Sequence, residues 1–356
     1  MLVLMTAAGV VLTSVVAFSP DGGGGPFDYG LFGPAGRAIL TGRLGEVFSD
    51  PVVQAGPLEL MFWGVPALLG VSGFVPWTIF SIVACSLFAI ATALAVHRLV
   101  RHVAPQLAAP IAAGVAAVGA FASCFATPLL DGHPADAVMP ALWIAAALLA
   151  RADRPAAAAA VLASGTGWEV WALLGVPVLL LVPRIRAGTV LRAAGGGAAV
   201  IAALFGPFLL AGPVRMFGFG WPIRDDSLVH LLFPDADEFT WPMRLTQAVL
   251  AVGAGVAVAL LLRRRLEAVL LVPLAVTAVR LLTDPVLADY YFDTAALLGA
   301  AALGLAVARR DLLRLLVGLL LLNAAIDLRT VGWPGAAVLV VVVAGAVVVE
   351  RTRRTG

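Results

Sequence analysis

Three kinds of side chain in this sequence could do chemistry. Asp28, Asp131 and Glu169 are carboxylates set beside or inside long apolar stretches, where an ionisable group is costly and by default marks a functional or partnered position. Arg215, Arg224 and Arg244 share one segment with His230, Trp221 and Trp241, and Arg280 precedes "TDPVLADYYFD" with Tyr290 and Tyr291. Guanidinium forks beside aromatic faces suit a phosphate that carries a sugar or an isoprenoid next to it. His133 sits in the turn "DGHPADA", and the third tyrosine, Tyr29, directly follows Asp28.

The elements that must position these groups follow from composition. The chain of 356 residues is 62% hydrophobic and 12% charged, with a mean hydropathy of +1.02. Apolar runs long enough to cross a bilayer recur along nearly all of it. Unpaired backbone polar groups are prohibitive in lipid and the runs are continuous rather than alternating, so they read as helices and the fold class is all-α, one polytopic membrane domain over residues 1–356. Spans are expected near 1–18, 76–98, 106–127, 136–150, 156–166, 169–183, 193–212, 244–262, 266–282, 290–307, 315–328 and 334–349. The first lacks a clean cleavage site and reads as a retained anchor. Residues 58–69 are apolar but too short to span, which makes them a re-entrant or surface-lying helix.

Charge placement orients these spans. Sixteen of the 23 basic residues, all arginine, fall on one side with only four of the 21 acids. The other side and the interior hold the remaining 7 arginines and 17 acids. The positive-inside rule then puts both termini in the cytoplasm and the acidic loops outside, at a plasma membrane. The net charge of +2 thus belongs to a polarised molecule and excludes a nucleic-acid partner as its explanation. Cys85 and Cys124 lie in expected spans, so no disulfide framework or metal motif is indicated.

Four outward segments are too polar and long to be simple turns: 19–57, which continues through the short apolar helix to about residue 75, then 128–136, 213–243 and 283–293. Pro34 can open an amphipathic helix with Ala35, Ile39, Leu44, Val47 and Phe48 near one face and Arg37, Thr41 and Arg43 on the other. The bland reading is a solvated lid. In "DGHPADA" a substrate-binding turn is favoured over a metal site, because no cysteine or second histidine lies nearby. "ASGTGWEV" interrupts a long apolar stretch flanked by arginine clusters, so the chain must turn back at residues 165–167 and leave Glu169 at or within the membrane. Against these readings stand ordinary ones: tyrosine and tryptophan anchor membrane interfaces whatever the function, Glu169 can face outer water, and the acids of residues 225–238 suffice to neutralise the neighbouring arginines.

The order of these parts resembles the bacterial GT-C integral membrane glycosyltransferases, nearest to the mannosyltransferase-like and arabinosyltransferase-like proteins of actinobacteria. It is carried by an anchor, a long outer loop with Asp28-Tyr29 and "GRAILTGRLGEVFSDP", the "GHPADA" turn, and a broken helix pair around "GWEVWALLGVP". The similarity extends over most of the chain and rests on order and topology rather than on one long motif. It implies an inverting transfer from a polyprenyl-phosphate sugar, in the membrane lipid, to a glycolipid or glycan acceptor at the outer face. No cofactor is implied and no divalent metal is indicated. The family's outer-loop aspartate, general base or anchor of the acceptor hydroxyl, matches Asp28; Asp21 ranks second. Tyr29, Asp131, His133, Glu169, Arg215, Arg224, His230, Arg280, Tyr290 and Tyr291 form the candidate binding set. Where many relatives place a basic residue in the broken pair, this chain has Glu169, so phosphate binding at that position is not implied.

Two rivals come from other classes. A transporter or flippase of lipid-linked sugars predicts charges along a through-path and an internal repeat, and no convincing repeat is visible. A catalytically silent scaffold of an envelope-synthesis complex is the other.

Overall fold

The computed structural model describes residues 29–71, 74–101, 113–114, 133–286, 288–327 and 331–353. Asp28 and Asp131 lie outside the described residues, as do the whole span expected at 1–18 and nearly all of that at 106–127. The structure is 77% helix and 2% strand. Among the described residues four helices, Ala187–Ala211, Trp241–Leu262, Tyr290–Arg309 and Trp333–Thr352, are long and apolar enough to cross a membrane. This is an all-α, membrane-embedded architecture; a full set of twelve spans is not established by it.

The first described region is a pair of crossed helices. α1 (Tyr29–Leu40) holds Pro34 inside it rather than at its first position, so the helix lacks the hydrogen bond that residue 34 would donate to the Gly30 carbonyl. It buries Phe32, Gly33, Gly36 and Ala38 and exposes Arg37. A single turn, α2 (Leu44–Val47), follows and buries Val47 and then Phe48. α3 (Pro57–Leu68) has Pro57 in its first turn and 12 residues, about 18 Å at an α-helical rise, so it is too short to span. α1 crosses α3 at two glycines in backbone contact. A Cβ on Gly36 would stand 1.8 Å from the Leu60 carbonyl oxygen, and one on Gly64 would stand 2.4 Å from the Gly36 carbonyl carbon. Only glycine permits this approach, the small-residue device of membrane helix packing.

α4 (Phe74–Arg101) leads toward α5 (Ala135–Arg151) and α6 (Pro155–Ser164). The chain then breaks in a 3₁₀ turn at Gly165–Gly167, Glu169 is extended, and a 3₁₀ helix runs over Val170–Leu181. Its side chains follow the three-residue period of 3₁₀ winding. Ala172, Gly175, Val178 and Leu181 are buried, and Leu173 and Val176 are exposed. Gly175 is needed on the buried row, since a Cβ there would lie 2.4 Å from Trp143 Nε1.

α7 (Ala187–Ala211) packs mainly on α6, and its last turns meet Phe48 through Phe205 and Phe208; much of the rest is bare, with Leu191, Leu209 and Leu210 exposed, Leu210 by 91%. A helix apolar on every face and uncovered by protein has lipid as its neighbour. The segment between α7 and the next long helix folds into a two-residue ribbon, β1 (Trp221–Pro222) with β2 (Glu238–Phe239), and a short α8 (Leu228–Leu232). α9 (Trp241–Leu262), α10 (Ala268–Leu282), α11 (Asp293–Arg309), α12 (Leu312–Asp327) and α13 (Trp333–Thr352) complete the described bundle. α10 and α11 form its axis, buried along almost their whole lengths.

Hydrogen bonds tie the arginine-rich turns together at one end. Arg151 donates to the carbonyls of Arg263 and Arg265 at 3.0 Å, and Arg263 donates to Val182 at 3.1 Å. Arg309 and Arg314 pair with Glu267 at 2.6 and 3.1 Å, Arg314 pairs with Glu350 at 2.7 Å, and Arg353 pairs with Asp311. The polar loops meet at the other end.

Candidate functional site

The polar loops enclose a cavity of about 310 Å³ at the end away from the arginine-rich turns. Its walls come from the 3₁₀ helix (Glu169, Trp171, Leu174), the 213–243 segment (Met216, Phe217, Trp221), α9 (Trp241, Arg244, Gln247), α10 (Arg280) and Tyr291. Among the lining residues the ionisable side chains, apart from Tyr291, are Glu169, Arg244 and Arg280.

The two guanidiniums are held on aromatic faces. Arg280, 5% exposed, has its guanidinium carbon 4.2 Å from the Trp171 ring centre and 4.7 Å from that of Tyr291. Arg244 lies 4.0 Å from Trp221 and 4.9 Å from Phe239, the β-ribbon residues that pair with each other across β1 and β2. Each cation retains favourable electrostatics on a ring face while its edge stays available. Asp284 lies between them, 3.7 Å from Arg244 and 3.9 Å from Arg280, so one carboxylate opposes two cations there. Gln247 fixes the arrangement: it accepts from Arg244 at 2.9 Å and donates to the Arg280 carbonyl at 3.1 Å. Arg280 Nη1 is buried and makes no hydrogen bond within the protein, although an unpaired buried donor is costly.

A second polar group adjoins the first. His133 stacks flat on Tyr290, ring centres 4.3 Å apart, and meets Phe32 of α1 edge-on at 6.0 Å. Tyr290 in turn meets Tyr291 edge-on at 4.7 Å, so a continuous run of rings links His133 to Arg280. Asp136, in the first turn of α5, is buried and accepts a hydrogen bond from Thr294 of α11 at 3.2 Å. Glu169 feels the charges of His133, Asp136, Arg280 and Arg244. The region from α1 to α3 closes this side. Ala55 pairs with Glu169 as an isolated antiparallel bridge, and the Gly56 N–H donates to the Trp168 carbonyl at 2.7 Å. Tyr29 meets Trp63 edge-on at 6.1 Å, and partial burial raises its phenol above the ordinary value.

Of the residues expected from sequence, Glu169, Arg280, Tyr290, Tyr291 and His133 come together here, with Tyr29 on the adjoining helix pair. Arg215 and Arg224 are not among the residues that line the cavity. Arg215 has an exposed side chain, with its backbone N–H on the Phe48 carbonyl, and Arg224 is exposed and gripped by Asp226 through two hydrogen bonds of 3.1 and 3.2 Å. The acid two residues along the chain satisfies Arg224 locally, which is the bland reading of these arginines. His230 belongs to α8, where its backbone N–H caps on Ser227 at 3.1 Å, and it too is absent from the lining. Arg244 lines the cavity instead, with Asp284 beside it.

One functional candidate escaped sequence reasoning. Glu59 of α3 is fully buried, and it lies with His133 and Glu169 so that one ligand-type atom from each falls within 4.8 Å of the others. Its signal was a lone acid inside the apolar run "PLELMFWGVP". Comparison of the chain with protein-family models and with curated proteins gives no match.

Proposed function

We propose that the chain is an outward-facing membrane glycosyltransferase that moves a sugar from a polyprenyl-phosphate donor to a glycolipid or glycan acceptor, with inversion. The observation that carries this reading is the pair Arg280 and Arg244, set on aromatic faces in a cavity that opens at one end of the bundle, with one Arg280 nitrogen left without a protein partner. A phosphodiester oxygen satisfies that donor, and the surrounding Trp171, Trp221 and Trp241 offer apolar surface for a sugar ring face and the first isoprene unit. In the transfer, the bond from the anomeric carbon to the phosphate oxygen breaks and a bond to the acceptor oxygen forms. The lipid phosphate leaves with the electron pair and the acceptor proton passes to a carboxylate. Arg244 and Arg280 stabilise the charge that develops on the departing phosphate, and Asp28, next in the chain to Tyr29, takes the proton.

The ionisable residues that line the cavity, Glu169, Arg244 and Arg280, gather at one end of the bundle, which supports an enzyme over a flippase, whose through-path calls for charges along its length. The deciding experiment places the purified full-length protein in nanodiscs with radiolabelled polyprenyl-phosphate sugars and membrane-extracted acceptors. Label should move to the acceptor in wild type and fall at least a hundredfold in Arg280→Gln. If no donor is used, while lipid-linked sugar crosses proteoliposomes that contain the protein, the transporter reading replaces this one.

A further inference from the structure

We infer that Glu59, His133 and Glu169 form a binding site for one divalent transition-metal ion of the zinc or manganese type, at the inner edge of the cavity. The three residues are far apart in the chain and reach one point from three separate elements: α3, the turn before α5, and the break after α6. Their ligand-type atoms, one from each residue, all lie within 4.8 Å of one another. Ligands held at about 2.1 Å from one ion stand at most about 4.2 Å apart, so seating an ion asks for shifts of about half an ångström. One imidazole nitrogen with two carboxylate oxygens suits zinc or manganese and disfavours magnesium, which prefers an all-oxygen shell.

Two further observations point the same way. The elements carrying the ligands are pinned to one another by backbone, through the Ala55 bridge to Glu169 and the Gly56 bond to Trp168. A Cβ on Gly56 would lie 2.3 Å from the Thr166 carbonyl oxygen, so the clamp admits no larger residue. The His133 ring is fixed by Tyr290 beneath it and Phe32 at its edge. Burial supplies the second argument: Glu59 is fully buried in an apolar helix, and a buried carboxylate is one that pairs or coordinates a metal. Glu169 also lines the cavity, so the proposed site adjoins the space beside Arg244 and Arg280.

The test uses the full-length protein purified in detergent, stripped with a chelator, equilibrated with Mn²⁺ alone and desalted. Metal content is read by plasma mass spectrometry, and nitrogen coupling to the bound Mn²⁺ by pulsed electron paramagnetic resonance. The expected result is about one ion per chain, affinity lowered at least about tenfold in Glu59→Gln and Glu169→Gln, and loss of the nitrogen coupling in His133→Gln. If Glu59→Gln does not yield folded protein, Glu169→Gln and His133→Gln, both at partly exposed positions, decide the matter. Less than about a tenth of an ion per wild-type chain, or wild-type affinity in Glu169→Gln with nitrogen coupling kept in His133→Gln, overturns the site. The readout is independent of sugar transfer: a chain that binds Mn²⁺ as described but uses no donor refutes the transferase reading alone.

Discussion

The guanidinium of Arg280 stands 4.2 Å over the ring of Trp171, and that contact joins the bundle axis to the broken helix pair. Trp171 follows Glu169 by two residues, so the same short segment that breaks the helix supplies the surface on which the most buried cation of the cavity rests.

Replacement of Arg280 or Arg244 by glutamine should therefore weaken donor use by about 2.7 to 4 kcal/mol of transition-state stabilisation if the guanidinium contacts the phosphate. Lysine should not restore either, because an ammonium cannot keep both the ring stack and a bidentate fork. Steady-state kinetics with the identified donor check this; full activity in both lysine variants would remove the arginines from phosphate binding.

Arg215→Gln and Arg224→Gln should leave the same kinetics nearly unchanged. Arg224 is half exposed and already paired with Asp226, a surface ion pair worth at most about 1 kcal/mol of stability. A hundredfold loss in either variant would mean that the 213–243 segment closes over the cavity during turnover.

Asp28→Asn preserves side-chain size and should cut turnover by about a hundredfold to ten-thousandfold while donor affinity holds. Asp50→Asn is the control from the same outer region. Asp50 is exposed and accepts only a local bond from the Val52 N–H at 3.0 Å. Equal effects of the two substitutions would indicate a general loss of loop charge rather than removal of a base.

Gly36→Ala should separate α1 from α3, since its Cβ has no room against the Leu60 carbonyl. Overpacking of this kind costs about 1 to 3 kcal/mol, and the thermal midpoint in detergent should fall accordingly. Gly30→Ala, six residues earlier and facing open space, should not lower it.

At the arginine-rich end, the hydrogen bond from Arg353 holds the Asp311 carboxyl down at about 2 against its ordinary 3.8. A depressed carboxyl stabilises the fold fully above its unfolded value, and the contribution drains away as pH falls toward the folded one. Melting temperatures should thus decline between about pH 4 and pH 2 more steeply in wild type than in Asp311→Asn. Parallel curves would show that this pair adds nothing to stability.

Much of the scaffold was legible because it rests on local physics. The limits of α5, α7, α9, α10 and α13 lie within a few residues of their apolar runs, and the turn back at Gly165–Gly167 followed from arginines on both flanks of one long stretch. The cavity was legible only in part. Glu169, Arg280, Tyr290 and Tyr291 stand at span ends, where the membrane itself sorts polar groups. Arg215 and Arg224 stand in a long outer segment whose ribbon and short helix no periodicity announces, so chain position could not separate them from Arg244. Glu59 became meaningful only once α3 was folded back against the helix break.

The winding of Val170–Leu181 also sets a length. Twelve residues in 3₁₀ form cover about 24 Å, and the same twelve wound as an α-helix cover about 18 Å. The segment is therefore about 6 Å longer than an α-helix of the same twelve residues, and that extra length carries Glu169 and Trp171 out to Ala55 and Arg280 while Val182 and Pro183 stay held by Arg263 at the other end.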